Sequence, residues 1–363
     1  MHKFEDEWGP QRILEVYDPK TKLHGVLVID NTAIGPGKGG MRMVPDLTVG
    51  EVAGLARAMT WKNSLAGIPF GGAKSGIRAD PKTINKEQAI RTFARLLSPV
   101  IPKHYISGPD MNVTEREMGW FSDELQDKNA CTGKPSNMGG LPHELGSTGY
   151  GVVQAANVAM EYMKTPLSGA TVAIEGYGNV GTFTHKFLEE LGAKVVAISD
   201  SKGTAYLESG FNHEKALKTK TEKGTITAYE GAQRKDASDL FKLNVDILIP
   251  GARPDVINAS NVNEIKAKLV VEAANLPAKP DIELVLAKKG IMIIPDFVAN
   301  AGGVISSYVE YIGGSEEDMF KMVKHKINTN TQIVLENQKN LDIRASALRI
   351  AQERVRDAMQ YRR

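Results

Sequence analysis

The sequence predicts an α/β protein of two domains, the second built on a doubly wound, mostly parallel sheet. Three observations carry that prediction. At 363 residues the chain exceeds what one ordinary hydrophobic core organises. In its second half, short apolar β-rich runs alternate with helical stretches, the pattern of a parallel sheet covered on both faces. One of those runs leads into Gly176-Tyr177-Gly178-Asn179-Val180-Gly181, a G-x-G-x-x-G at a strand-to-helix junction.

Bulk composition narrows the class further. Lys+Arg 45 against Asp+Glu 43 leaves a net charge of +2, so no field of one sign suits nucleic acid or an anionic membrane. The N-terminus is charged and has no apolar signal core, and no apolar run is long enough to span a bilayer. Cys131 is the sole cysteine, so no intrachain disulfide forms and a reducing, cytoplasmic location is expected. No motif around Cys131 marks it as a nucleophile. The 7 histidines lack ligand spacing, so no metal site is expected.

The first domain, 1–135, mixes strands and helices. His24 to Asp30 reads as a strand, and Asn31 to Gly40 as a turn-rich segment. Thr48 caps the next helix, Glu51 follows three residues later, and Val52, Leu55, Ala56 and Met59 share its inner face. Asn85 opens a second helix, with Ile90, Phe93, Leu96 and Leu97 inward, ending before Pro99. His104 to Asp110 then reads as a short strand with an aspartate at its end. Between the two helices, Gly71-Gly72-Ala73-Lys74-Ser75-Gly76 reads as a glycine-rich loop whose backbone takes positive φ and admits a ligand. A lysine in such a place, away from water or beside another cation, releases its proton readily and serves as an acid or base near neutral pH. Lys62, twelve residues upstream of Lys74, is a candidate for that second cation.

From Asn129 to Thr148 the glycines and prolines preclude a continuous helix, which marks a domain junction. The second domain, 136–330, opens with a helix from Gly151 to Met163 expected to bridge the domains. Its strands are Thr171–Glu175, Lys194–Ser199, Val245–Ile249, Leu269–Glu272 and Ile291–Ile294. The polar, helical remainder, 331–363, is expected to pack back on the first domain. Gly176, Gly178 and Gly181 permit a tight turn, close approach of a pyrophosphate and close helix–strand packing, while the backbone N–H groups of Asn179 and Val180 open the helix toward the phosphates. This is the dinucleotide signature of a Rossmann-type sheet. Asp200, 24 residues after Gly176, suits a ribose 2′-hydroxyl and NAD, whereas Ser201 and Lys202 could hold the 2′-phosphate of NADP, so both cofactors stay open.

Several of these segments, taken together and in order, match one family. GPGKGGMR (35–42), MTWKNSLAGIPFGGAKSGI (59–77), GPDMNV (108–113), TGYG (148–151), GYGNVG (176–181) and NAGGVISS (300–307) make the chain resemble the glutamate/leucine/phenylalanine/valine dehydrogenases over nearly its whole length. The resemblance implies two domains flanking a cleft and NAD(P)-dependent oxidative deamination of an L-amino acid to a 2-oxo acid and ammonia. It implies that Lys74 activates water, that Asp110 shuttles protons at the amino nitrogen, and that Lys62 grips the α-carboxylate. Lys38 and Ser307 match the positions that recognise the side-chain carboxylate in glutamate enzymes, where branched-chain and aromatic enzymes carry an apolar residue in place of the lysine. Gly39 and Met59 join them as substrate-side positions, and Thr148, Asn179, Asn275 and Asn300 as cofactor-side positions. Glutamate is the substrate these matches favour, with a branched-chain enzyme and a non-catalytic dinucleotide sensor as the competing readings. A homo-oligomer, most like a hexamer, is implied as well. Three features depart from the glutamate pattern: the chain is as short as leucine dehydrogenases usually are, which keeps their octamer open beside the hexamer; Ser75 stands where glycine is frequent; and Leu141-Pro142-His143-Glu144-Leu145 replaces smaller residues.

Overall fold

A computed structural model describes residues 4–141 and 145–361, so Pro142, His143 and Glu144 of the junction lie outside the described residues. The chain divides into two compact units. The first joins the described residues up to Leu145 to Val304–Met319 and to those from Ile350 onward; the second comprises Gly146–Gly303 and Phe320–Arg349. The expected division at 135/136 therefore falls ten residues early, because Glu310 accepts hydrogen bonds from the backbone N–H of Gly133 and Leu141 and ties that loop to the first unit. Nor does all of 331–363 return to the first unit: the stretch to Arg349 stays with the second, where Arg344 is anchored to Glu272, Glu283 and Asp296.

The first unit is a mixed sheet covered by helices. Strands β1 (Arg12–Asp18) and β2 (Leu23–Asn31) form an antiparallel pair, and β2 lies antiparallel to β5 (Gly71–Arg78). On the other side of β5 run β3 (Gly37–Lys38) and β4 (Met41–Val44), both parallel to it, and β3 pairs with β6 (Tyr105–Ile106). Alternation assigns the two faces. Leu27 and Ile29 of β2 join Ala73 and Ile77 of β5 against α2 (Lys86–Leu97) and α3 (Glu115–Leu125), whereas Val26 and Val28 meet Val52 and Ala56 of α1 (Val49–Ala66). The Thr48 and Asn85 side chains cap α1 and α2 as expected, accepting from the N–H of Glu51 and Gln88.

One expectation is overturned here. The glycine-rich loop around Lys74 is the buried central strand β5, and none of its glycines has positive φ. Its glycines serve close packing instead: a Cβ on Gly71 would sit 2.0 Å from the Asn31 carbonyl oxygen, and one on Gly72 would sit 2.1 Å from Thr60 Oγ1 of α1.

The second unit is a seven-stranded sheet with α4 (Ser147–Tyr162) leading into it. Its strands are β7 (Thr171–Glu175), β8 (Lys194–Asp200), β9 (Gly203–Tyr206), β10 (Gln233–Lys235), β11 (Ile247–Pro250), β12 (Leu269–Val271) and β13 (Met292–Ile294), in the order β10-β9-β8-β7-β11-β12-β13. The five strands from β8 to β13 in that order are parallel, and β9 and β10 add an antiparallel edge. Helices α5 (Asn179–Glu190), α6 (His213–Lys223) and α7 (Pro280–Lys288) lie in their connections, and α8 (Asp296–Ala299) follows β13. The direction of winding reverses beside β7, the place where open α/β sheets bind ligands. Helices α9 (Gly302–Tyr311), α10 (Glu316–Glu336) and α11 (Ile343–Met359) complete the chain, each divided between the two units.

Candidate functional site

In the first unit, β-strand register gathers three of the expected residues. Lys38 on β3 faces Gly72 of β5 across one ladder and Ile106 of β6 across the other, and Lys74 follows two residues along β5. Beyond β6 the chain turns on an Asp110–Val113 pair of backbone hydrogen bonds, with Asn112 left-handed at φ 62°, and this turn aims Asp110 back at the sheet. Asp110 Oδ2 lies 3.0 Å from Lys74 Nζ and 2.8 Å from Arg42 Nε. Arg42 in turn pairs with Glu51 at 2.6 Å. A Cβ on Gly40 would stand 2.8 Å from the Asp110 Cβ and 3.3 Å from Lys74 Nζ, so the glycine makes room for the pair. Gly39 abuts β5 as closely: a Cβ there would meet the Ala73 carbonyl at 1.7 Å.

Charge and burial decide the protonation states. Burial lowers the affinity of Lys74 for its proton and the Arg42 charge adds to this, against the pull of Asp110, leaving the ammonium below its usual range. Burial acts to raise the Asp110 carboxyl, but Lys74 and Arg42 together hold it below the ordinary carboxylate range. Lys38 is 4% exposed and donates to the Ser107 carbonyl at 2.9 Å. Desolvation, reinforced by the charges of Lys74 and Lys134, brings it down to about 8 in spite of Cys131 and Glu310. Lys134 and Glu310 form a buried ion pair beside it at 2.5 Å. Cys131 is buried, donates to the Met118 carbonyl at 3.3 Å, and is pushed up to about 12, the state of an inert thiol.

The remaining substrate-side positions are placed less directly. Met59 and Lys62 lie half-buried on α1, whose Thr60 packs on Gly72 of β5. Ser307 lies half-buried on α9, which joins this unit through Tyr308 and Tyr311 packed edge-on against Phe70 and through Glu310. Arg42 was missed as a site residue although it ends the GPGKGGMR motif; only its β4 register opposite Gly76 brings it to Asp110.

The second unit holds a cavity of about 1310 Å³ lined by Gly176, Gly178, Asn179, Val180, Gly181, Asp200 and Ser201, with Phe241 and the loop Gly251–Asp255. Gly176 is left-handed at φ 92°, and a Cβ on Gly181 would strike the Gly176 carbonyl at 2.0 Å. A Cβ on Gly178 would meet nothing within 4 Å, and no side chain caps α5 there, so the first backbone N–H groups of the helix are open to an anion. Glu175 secures the facing loop by accepting the N–H of Gly251 and Ala252. A dinucleotide fits these residues.

Two expectations are qualified here. Asp200 lines the cavity, but its carboxylate is already engaged: Oδ1 by the Lys202 N–H and Thr225, Oδ2 by Lys220 at 2.7 Å and the Ile226 N–H at 2.8 Å. Lys202 does not line the cavity; the turn after β8 places it on an adjoining recess of about 600 Å³ with Ser201, Arg234 and Lys235, while Lys220 of α6 takes the position beside Asp200. Thr148, Asn275 and Asn300 are not among the lining residues of the large cavity. Asn300 Nδ2 donates to Asn275 Oδ1 at 3.0 Å, and Thr148 lies against Gly302 and Gly303 just after Asn300.

Known proteins resemble both halves. The model of the Glutamate/Leucine/Phenylalanine/Valine dehydrogenase family matches residues 139–363, and that of the Glu/Leu/Phe/Val dehydrogenase dimerisation domain matches 10–127. A glutamate dehydrogenase of Aeropyrum pernix is 42% identical over 354 residues, covering 92% of this chain and 85% of that protein. An NADP-specific glutamate dehydrogenase of Saccharolobus shibatae is 39% identical over 380 residues, covering 97% and 90%. Among solved structures, a hetero-hexameric glutamate dehydrogenase from Thermus thermophilus matches with a TM-score of 0.86 at 28% identity, covering 98% of this chain and 90% of that one.

Proposed function

Since the chain belongs to the glutamate/leucine/phenylalanine/valine dehydrogenase family, we propose that it catalyses the NAD(P)-dependent oxidative deamination of L-glutamate to 2-oxoglutarate and ammonia. The observation that carries the choice of glutamate is Lys38, a buried ammonium whose described hydrogen bond is to one carbonyl. A substrate γ-carboxylate is the partner that such a charge lacks, and a leucine side chain would leave it stranded. Ser307 assists at that carboxylate, and Lys62 takes the α-carboxylate, with Gly39 and Met59 shaping the pocket.

The bound dinucleotide supplies the acceptor for the hydride that leaves Cα. The proton transfers belong to the protein. Lys74, its amine made available by burial, takes a proton from water as the oxygen attacks the iminium carbon. Asp110, ionised beside Lys74 and Arg42, first takes a proton from the substrate ammonium, returns it to the carbinolamine nitrogen, and recovers one from the hydroxyl as the carbinolamine collapses to 2-oxo acid and ammonia. Gly176, Gly178, Asn179, Val180 and Gly181 cradle the pyrophosphate, Asp200 and Ser201 border the adenosine ribose, with Lys202 in the recess beyond, and Thr148, Asn275 and Asn300 serve the nicotinamide side. The working form is a homo-oligomer and most like a hexamer, a subunit number shared with the Thermus enzyme although that assembly is hetero-hexameric, and the free thiol of Cys131 suits the cytoplasm.

Steady-state rates with glutamate, leucine, valine and phenylalanine, each with NAD and NADP, test this reading. Glutamate is expected to lead by kcat/KM with at least one cofactor; preferential turnover of leucine or valine would overturn the substrate assignment.

A further inference from the structure

Deep in the second unit one guanidinium holds three carboxylates. Arg344, in the first turn of α11, donates from Nε to both oxygens of Glu283 at 2.8 Å, and from one Nη to Glu272 Oε2 and Asp296 Oδ1, each at 2.9 Å. The acids come from separate elements: Glu272 follows β12, Glu283 lies on α7 and Asp296 begins α8. All three are buried. With every carboxyl ionised, two negative charges would remain uncompensated in a medium where that is costly. Glu272 Oε2 already accepts from Arg344 and from the Asp296 N–H, so a proton retained by this carboxyl sits on the buried Oε1. Burial, together with the neighbouring Glu283 and Asp296, lifts the Glu272 carboxyl well above the usual range despite Arg344, and burial raises Glu283 as well.

The segments fastened here bear the amides assigned to the cofactor. Glu272 Oε2 accepts the N–H of Asp296, and Asp296 Oδ2 accepts the N–H of Leu276, each at 3.0 Å. Leu276 sits at φ 47°, a left-handed conformation that costs energy for leucine and persists only when held from outside. Asn275 immediately precedes it. From Asp296, α8 runs directly to Asn300, whose Nδ2 donates to the carbonyls of Ala273 and Ala274 and to Asn275 Oδ1. Residues 272–276 and 296–300 are thus one cross-linked pair of turns.

We propose that Arg344 and a protonated Glu272 form a clamp that positions Asn275 and Asn300 for the dinucleotide, so that cofactor affinity falls when the proton is lost. Ionised Glu272 and Glu283 repel each other, Arg344 is drawn between them, and its hold on Asp296, and through it on Leu276, is loosened. The inference rests on the reading of this unit as the dinucleotide domain.

Equilibrium binding of NADH and NADPH, followed by nicotinamide fluorescence over a rising pH series, tests it on the full chain. The unmodified protein should lose affinity about tenfold toward alkaline pH, whereas Glu272→Gln, which keeps the neutral shape without a titrating proton, should stay within about twofold. Arg344→Met should bind about tenfold more weakly at every pH, with partial recovery in Arg344→Lys. A Glu272→Gln protein as pH-sensitive as the unmodified one overturns the clamp, as does an Arg344→Met protein with undiminished affinity. Should Arg344→Met fail to fold, the Glu272→Gln profile alone decides. Absence of binding by the unmodified protein would instead defeat the dinucleotide reading, and pH-independent binding would defeat only the clamp.

Discussion

Replacing Lys38 with methionine should weaken catalysis and strengthen the fold in one step. The ammonium is buried, hydrogen-bonded to the Ser107 carbonyl, and its pKa falls from 10.5 to about 8. That shift, at 1.36 kcal/mol per unit, corresponds to about 3 kcal/mol lost from folding while the group stays charged. The sign follows from which state binds the proton more tightly. Below a pH of about 8 the lysine is charged in both the folded and the unfolded chain, and the penalty is present in full. Between about 8 and 10.5 the folded chain releases its proton first, and the penalty is lifted. Near neutrality Lys38→Met should therefore gain roughly 2 kcal/mol in urea unfolding after a repacking cost of about 1 kcal/mol, and the gain should vanish toward alkaline pH. Selectivity should move the other way. A buried charge pair truncated on one side costs about 2–5 kcal/mol, so the kcat/KM ratio of L-glutamate over L-norvaline should fall about a hundredfold. A ratio that moves less than about threefold would refute the assignment of Lys38 to the substrate carboxylate. A variant less stable than the parent near neutrality would refute the account of its burial.

Other perturbations separate the remaining roles. Lys74→Met and Asp110→Asn should each lower kcat by roughly 10² to 10⁴ while dinucleotide binding, read by fluorescence, is retained; near-normal turnover by either would remove that residue from the chemistry. Arg42→Met takes away one of two cations that depress Asp110, so the acidic limb of the kcat/KM profile should shift to higher pH, and an unmoved limb would show that Arg42 does not govern it. Gly178→Ala should leave the melting temperature unchanged and weaken dinucleotide binding, whereas Gly181→Ala, facing a carbonyl at 2.0 Å, should destabilise the fold by about 1–3 kcal/mol. Lys220→Met removes one of the two donors to Asp200 Oδ2, leaving only the Ile226 N–H there and room for a ribose hydroxyl, so the NADP/NAD ratio of kcat/KM should drop about tenfold; an unchanged ratio would exclude Lys220 from cofactor choice.

The sequence was legible where one local pattern determines one structure. Thr48 and Asn85 cap their helices as read, and the parallel strands of the second unit emerge where β-rich apolar runs alternate with helices, because burial on both faces leaves no other composition. It was misleading at 71–76, where glycine frequency suggested a loop. Those glycines answer to Asn31, Thr60 and Leu47, neighbours that local reading cannot supply. The antiparallel edge β9–β10 escaped notice for a similar reason: Gly203–Tyr206 and Gln233–Lys235 are short, and each is defined mainly by its partner. Among site residues, the glycines of 176–181 were accessible because a phosphate turn is local. Arg42 and Lys220 were not, since each matters through a carboxylate 68 or 20 positions away along the chain.

Arg42 also resolves a difficulty in the chemistry. A lysine bonded to a carboxylate at 3.0 Å would ordinarily be held protonated, and a protonated lysine cannot accept a proton from water. In this site Asp110 Oδ2 takes Arg42 Nε at 2.8 Å, so the carboxylate keeps a permanent cation whichever state Lys74 adopts. Glu51, 2.6 Å from the same guanidinium, draws off part of its charge, and the row Glu51–Arg42–Asp110–Lys74 alternates in sign from the exposed end of the row to its buried end. Loss of the Lys74 proton then leaves no carboxylate unpaired, and its return meets a partner already oriented. Arginine is suited to this place because it does not titrate; Arg42→Lys would substitute a second exchangeable proton beside Asp110 and let the two lysines compete for it. Such a variant should keep its fold, shown by an unchanged melting temperature, yet display a broadened kcat/KM profile on the alkaline side. A profile identical to that of the parent would mean that the charge alone, and not its permanence, is what the site requires.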